Sequence, residues 1–293
     1  MNTSKAITDV GFVGLGIMGG SMAGHLLDSG YALHVSNRTR TKAEPLVARG
    51  ARWHDDAGDV AAESEVVVTM VGYPADVEAI YLGPGGIVER ARPGSILVDM
   101  TTSSPALAER IAGEAQKRGV SALDAPVSGG DVGAREAKLS IMVGGANEAF
   151  EAVLPILRRM GTNIVRQGGP GAGQHTKLCN QIVIASTMLG VCEGLAYAKR
   201  AGLDPHTVLK SIGGGAASSF LLNNLGARIL NADFAPGFFV EHFVKDMRIA
   251  AEEAQRLHAD LPGLELAKSL YESLLAEGHG RDGTQALFKH YDR

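Results

Sequence analysis

The sequence predicts an α/β N-terminal domain built on a parallel sheet, followed by an all-α C-terminal domain that a long helix joins to it. Three observations carry that expectation. Short β-branched runs alternate with amphipathic helical stretches through the first half, the pattern of βαβ units. The strand signals stop after Gly168-Gly169-Pro170-Gly171, and from there to the end only helical signals remain. Between them, the stretch from Gln174 to Arg200 is dominated by apolar residues with no strand punctuation before Gly202, which reads as one long, largely buried helix.

Strands are expected at 10–13, 32–36, 66–70, 96–99, 122–124, 139–143 and 164–165. Ser104-Pro105 supplies an N-cap and a first-turn proline for the helix that opens at Ala106. The helical half is broken at Gly213-Gly214-Gly215, at 231–237 and at Pro262-Gly263. The expected domains are therefore 1–169 and 170–293, a plausible pair for 293 residues of which 45% are hydrophobic.

Composition narrows the function classes. A formal charge of −4 offers no basic footprint for nucleic acid. No export signal and no uninterrupted apolar run of membrane-spanning length is visible, so a soluble, cytoplasmic protein is expected. The two cysteines, Cys179 and Cys192, fall in the same apolar stretch, where both are expected to be small core residues rather than a disulfide framework. None of the nine histidines sits at a metal-ligand spacing, and His54-Asp55-Asp56 reads as a polar loop, so no metal is expected.

The chemistry begins at Gly14-Leu15-Gly16-Ile17-Met18-Gly19, which follows the first strand and opens a helix near Met18. In that context a G-x-G-x-x-G loop serves a dinucleotide: a tight turn, close approach of the backbone to a pyrophosphate, then close helix–strand packing. This makes the N-terminal domain Rossmann-type. An NAD site usually places an acid about 20 residues on, at the end of the second strand. Here Asn37-Arg38-Thr39-Arg40 stands instead, so the cofactor expected is NADP(H), with NAD less favoured: arginine pairs with a 2′-phosphate while Asn37 and Thr39 offer uncharged hydrogen bonds.

Two further motifs add a substrate and a proton. Asp124-Ala125-Pro126-Val127-Ser128-Gly129-Gly130 offers successive backbone N–H groups and a hydroxyl, a concavity for a carboxylate or simply a sharp turn. Gly171-Ala172-Gly173-Gln174-His175-Thr176-Lys177-Leu178-Cys179-Asn180 opens the long helix, and Lys177 and Asn180, three apart, share a face. A lysine in the first turns of a helix opposes the dipole, and dipole and burial together lower its pKa towards a value useful for proton transfer. Lys177 is the expected general acid and base; His175 is left unassigned.

These ordered motifs resemble the β-hydroxyacid dehydrogenases, the group of 3-hydroxyisobutyrate dehydrogenase, tartronate semialdehyde reductase and glyoxylate/succinic semialdehyde reductase. The resemblance spans nearly the whole chain. It implies an NADP(H)-dependent oxidoreductase that interconverts a small β- or γ-hydroxy acid and its semialdehyde, or a glyoxylate-type keto acid, in homodimers or homotetramers. By position it also implies Thr102 and Lys245 beside the cofactor, Lys177, Asn180 and Ser128 as the catalytic set, and these three with Gly129, Gly130, Phe238 and Asp246 around the substrate, Asp246 supporting Lys177. The chain departs from many members at Ala137-Lys138, where they have glycine and then a small residue, so that loop is expected to differ in shape. Two alternatives stay open: an imine reductase-like enzyme, which Lys177 argues against, and a non-catalytic nucleotide-binding protein.

Overall fold

The computed structural model describes residues 7–292. Its chain divides into two compact units, 1–177 and 178–293. The division falls within the long helix, past the Gly169 boundary expected above, because the first turns of that helix are hydrogen-bonded into the first unit.

The first unit holds one sheet. Its strands are β1 (Asp9–Val13), β2 (Ala32–Ser36), β3 (Arg52–Trp53), β4 (Val66–Thr69), β5 (Ile96–Asp99), β6 (Ser121–Asp124), β7 (Val127–Ser128), β8 (Leu139–Gly144) and β9 (Gly161–Gly168). The spatial order is β3-β2-β1-β4-β5-β6-β8-β7, with β9 also on β8. The pairs among β1 to β6 are parallel; β8 runs antiparallel to β6 and β7. The order reverses between β1 and β4, the switch point where ligands of doubly wound sheets bind.

The side-chain period of a strand explains the two faces. Val10 and Phe12 of β1, Val66 and Val68 of β4 and Val98 of β5 join one core with Met22 and Leu26 of the helix Ile17–Asp28 and Phe150 and Val153 of the helix Asn147–Leu157. The alternate residues Val13, Val67 and Leu97 join a second core with Tyr81, Leu107 and Ile111. A strand buried on both faces reads as a continuous apolar run, which is why β4 and β5 were legible as strands. β3 and β7, two residues each, are too short for any periodicity and were not anticipated.

The second unit is helical. Its core gathers Ala185, Met188, Cys192 and Leu195 of the helix Ala172–Arg200, Phe243 and Met247 of the helix Val240–Arg256, and Ala267, Tyr271 and Leu274 of the helix Pro262–Leu274. The long helix is buried on one face only: Val183 and Tyr197 are 65% and 73% exposed, and Cys179 is also exposed, contrary to the expectation that both cysteines lie in the core. An apolar count along a helix does not reveal how much of its circumference the same chain covers. This helix is also, among the described residues, the one whose length and composition would allow it to cross a membrane, a property missed by looking for an uninterrupted apolar run.

The departure at Ala137 has a physical form. The helix Gly130–Arg135 ends in a Schellman motif, with the Lys138 N–H donating to Gly133 O at 2.8 Å and the Ala137 N–H to Ala134 O at 3.5 Å. The motif puts its C′ residue in the left-handed region, and Ala137 sits there at φ 54°. A side chain there costs roughly 1 kcal/mol that glycine does not incur. Ala137→Gly is therefore expected to raise unfolding stability by roughly 1 kcal/mol in a urea titration with no change in slope; a loss of stability would contradict the strain.

Candidate active site

Each glycine of the first loop has a distinct surrounding. A Cβ on Gly14 would stand 2.2 Å from Met70 O, on a backbone already at φ 95°, and one on Gly19 would stand 1.9 Å from Gly14 O. Around Gly16 nothing lies within 4 Å, so the middle glycine faces open space. Gly16 caps the helix Ile17–Asp28 without a side-chain bond, and no acid stands in its first turn. Its first N–H groups and dipole are thus presented to an anion, with Leu15 buried beneath and Ile17 63% exposed in front. These residues fit a dinucleotide pyrophosphate.

The loop after β2 stands beside the glycine loop. The Leu15 N–H donates to Asn37 Oδ1 at 2.8 Å, and Asn37 Nδ2 donates to Thr39 O at 2.8 Å. Asn37 thereby stitches the glycine loop to the loop that carries Arg38, and most of its amide is spent on that task. Arg40 lies 5.4 Å over the ring of Trp53, whose Nε1 donates to Asp55. Arg49, Arg90, Arg92 and Arg110 of the same unit all pair with carboxylates, but among the described residues Arg38 and Arg40 do not. His54 and Asp56 have structural work instead: His54 hydrogen-bonds buried His34 at 2.9 Å, and Asp56 caps the helix Ala57–Glu63.

Two buried carboxylates close the strand ends. Asp99, at the end of β5, has its carboxyl pushed up to about 6 by burial, opposed by hydrogen bonds from Thr69 and Thr101. Thr69 Oγ1 and the Thr101 N–H both donate to its Oδ1, and Thr101 Oγ1 in turn accepts from the Val71 N–H at 3.0 Å. Asp124, at the end of β6, is raised by burial and pulled back by the N–H groups of Gln174 and Gly171, each 2.8 Å away. It caps the start of the long helix. Sequence reading took Asp124 only as the head of a motif and singled out neither Asp99 nor Gln174.

Ser128, partly exposed, ends β7 beside Ser140; Gly129 follows at φ 132° and Gly130 at φ 62°, opening the helix Gly130–Arg135. Lys177 is buried, 7% exposed, one turn beyond the fully buried Gln174. Thr102 lies between two residues that Gln174 holds.

In the second unit, Asn180 Nδ2 donates to Gln181 Oε1 at 2.8 Å, and Gln181 Nε2 donates to Asp246 Oδ2 at 2.6 Å. Lys245 pairs with the other Asp246 oxygen at 3.0 Å. Phe238 packs against Phe243 near the start of that helix. Asn180, Asp246 and Lys245 thus belong to one hydrogen-bonded chain, and Gln181 is the member that the sequence reading missed.

A phosphate-ready glycine loop at the switch point of this doubly wound sheet defines a dinucleotide-binding domain. Comparison with known proteins refines the class. Residues 9–169 match the NAD binding domain of 6-phosphogluconate dehydrogenase, and residues 171–291 the NAD-binding domain of NADP-dependent 3-hydroxyisobutyrate dehydrogenase. The chain is 54% identical to an uncharacterized oxidoreductase, YkwC, of Bacillus subtilis, over 96% of this chain and 97% of that one. It is 50% identical to a probable 3-hydroxyisobutyrate dehydrogenase-like protein of Arabidopsis thaliana (98% and 86%) and 39% identical to 2-hydroxy-3-oxopropionate reductase of Escherichia coli (95% and 95%). The solved 3-hydroxyisobutyrate dehydrogenase of Mycobacterium tuberculosis, studied with L-serine, superposes with a TM-score of 0.90 at 28% identity, covering 99% of this chain and 100% of that one. The chain belongs to the β-hydroxyacid dehydrogenase family, and it is an NAD(P)-dependent enzyme acting on the CH–OH group of a hydroxy acid or the carbonyl of its semialdehyde.

The surroundings of the glycines give opposite expectations for two similar substitutions. Gly16→Ala adds a methyl to open space, so the melting temperature should hold while dinucleotide affinity falls at least roughly tenfold. Gly19→Ala forces helix from strand and should lower the melting temperature as well. Equal melting losses for both, read by calorimetry and cofactor titration, would contradict the assignment.

Proposed function

We propose that the protein is an NADP(H)-dependent reductase of small carboxylate-bearing aldehydes, in which Lys177 moves the proton. The observation that carries this reading is the burial of Lys177 at the start of the long helix, within a motif that opens on glycines, since lysine is among the residues least often buried. When bound, the nicotinamide supplies the hydride in reduction and accepts it in oxidation. Lys177 Nζ gives a proton to the carbonyl oxygen as the C–H bond forms, yielding the alcohol, and takes it back in the reverse direction. The residues 128–130 receive the carboxylate through backbone N–H groups and the Ser128 hydroxyl, and Asn180, held by Gln181 on the same helix as Lys177, is a further substrate-orienting group. Glyoxylate and the succinic, tartronate and methylmalonate semialdehydes share the required carboxylate and carbonyl. The exposed side of the long helix, with Val183, Gly190, Gly194 and Tyr197, supports assembly into a homodimer or homotetramer, and two unpaired cysteines suit a reducing, cytoplasmic setting.

The preference for NADP(H) rests on Arg38 and Arg40, cations without carboxylate partners among the described residues at the place where NAD enzymes carry an acid. Trp53 is the sole tryptophan of the chain and lies against Arg40, so its fluorescence reports directly on this end of the site. Titration with 2′,5′-ADP should perturb that emission and give a Kd roughly 10- to 100-fold below that of 5′-AMP. Arg38→Ala should erase the difference while leaving 5′-AMP binding unchanged. Indistinguishable affinities for the two nucleotides would remove the NADP preference.

Lys177→Met keeps the length of the side chain and removes its proton. It should lower kcat roughly 10²- to 10⁴-fold with the 2′,5′-ADP affinity intact. A variant that retains wild-type kcat would end the assignment of Lys177.

A further inference from the structure

The amide of Gln174 makes an unusual pair of bonds. Its Oε1 accepts the Ser103 N–H at 2.9 Å and its Nε2 donates to Thr101 O at 2.7 Å. A neighbouring strand would offer the same two groups to a residue triplet, so the side chain takes the place of a strand beside Thr102. The side chain is fully buried, and its own backbone N–H is bound to Asp124. Gly173, the residue before it, lies so close to Met142 O and Asp124 O that a Cβ would approach them to 2.4 and 2.6 Å, which leaves the helix start little freedom to slide. Thr101 is fastened from the other side by Asp99 and through Val71.

The 101–103 loop is therefore held to the long helix by two directional bonds to one side chain, which resist the sliding that apolar packing tolerates. That side chain lies one helical turn before Lys177, on the same face. We infer that Gln174 is a positioning residue that fixes the Thr102 loop relative to Lys177, so that hydride and proton reach the two ends of one carbonyl in a single geometry. The inference rests on the reading of Lys177 as the proton donor and of Thr102 as a neighbour of the nicotinamide. A displacement of even 1 Å between such groups is costly in rate.

Gln174→Glu tests it through pH. A neutral carboxyl reproduces both bonds: its O–H donates to Thr101 O and its C=O accepts from the Ser103 N–H. Ionised, it loses the donor and sets a negative charge against the Thr101 carbonyl. The titratable groups nearest it are Asp124, through the start of its own helix, Asp99, through Thr101, and Lys177, one turn along on the same face. Full burial and the two carboxyls raise the pKa of the new carboxyl against the opposing pull of Lys177, bringing its titration towards the range of an ordinary assay. Because Asp99 itself titrates at about 6, the variant is read as a ratio to wild type at each pH.

The expected result is a kcat ratio near one at about pH 5.5 that falls at least roughly tenfold by about pH 8, with the Kd of 2′,5′-ADP constant across the range. Gln174→Met, of similar length and with no amide, should lose kcat at every pH. It should also weaken NADPH relative to 2′,5′-ADP, a binding readout of the nicotinamide end that needs no turnover. Circular dichroism at the assay temperature confirms that both variants are folded; a variant that unfolds is replaced by Gln174→Leu and read in the same binding assay. A flat ratio for Gln174→Glu, or a Gln174→Met enzyme with wild-type kcat and an unchanged NADPH to 2′,5′-ADP affinity ratio, overturns the inference. If wild type reduces no carbonyl acid, the functional reading fails instead, and the nucleotide affinity ratio still decides the role of Gln174.

Discussion

Asp124 accepts the N–H groups of Gly171 and Gln174, and the geometry of the start of the long helix follows from that cap. The first N–H groups of a helix have no partners of their own, and leaving them buried and unpaired is costly. Placing a carboxylate there satisfies them and sets a negative charge against the positive end of the helix dipole, which opposes the penalty of burying the charge. Because Asp124 is the last residue of β6, the start of the helix is referred directly to the sheet. Gln174 and Lys177 then stand at fixed turns of a helix whose origin is fixed.

The sheet refers the cofactor side to the same frame. β1 carries the glycine loop, β5 carries Asp99 and the 101–103 loop, and β6 carries Asp124, all at the same end of parallel strands. Gln174 ties the second of these to the helix. Two of the sequence motifs that carry the family resemblance, 124–130 and the start of 171–180, are therefore joined within one unit by hydrogen bonds rather than only sharing a ligand. In the second unit, the chain from Asn180 through Gln181 to Asp246 and Lys245 imposes comparable order on its polar residues.

What was legible in the sequence follows from how far each signal reaches along the chain. The β-branched runs, the Ser104-Pro105 helix start and the spacing of Gly14, Gly16 and Gly19 are local, and local chemistry sets them. The long helix was legible, but not which of its faces the chain itself covers, so Cys179 was misjudged and Cys192 was not. Asn37 read as a source of uncharged hydrogen bonds for the cofactor because its residue type suits that; its bonds to Leu15 and Thr39 depend on how two loops meet. Gln174 stood in plain view inside a motif, yet its partners are 71 and 73 positions away, beyond any periodicity. Asp99 read only as a strand end, because a buried carboxyl with a raised pKa has no local signature.

The most direct test of the account is the consumption of NADPH by the purified protein, followed by nicotinamide absorbance, with glyoxylate and the succinic, tartronate and methylmalonate semialdehydes in parallel with a cyclic imine. The account predicts turnover of at least one carboxylate-bearing aldehyde and none of the imine. Turnover of the imine alone, or silence across the panel by a protein that still binds NADPH, would contradict it.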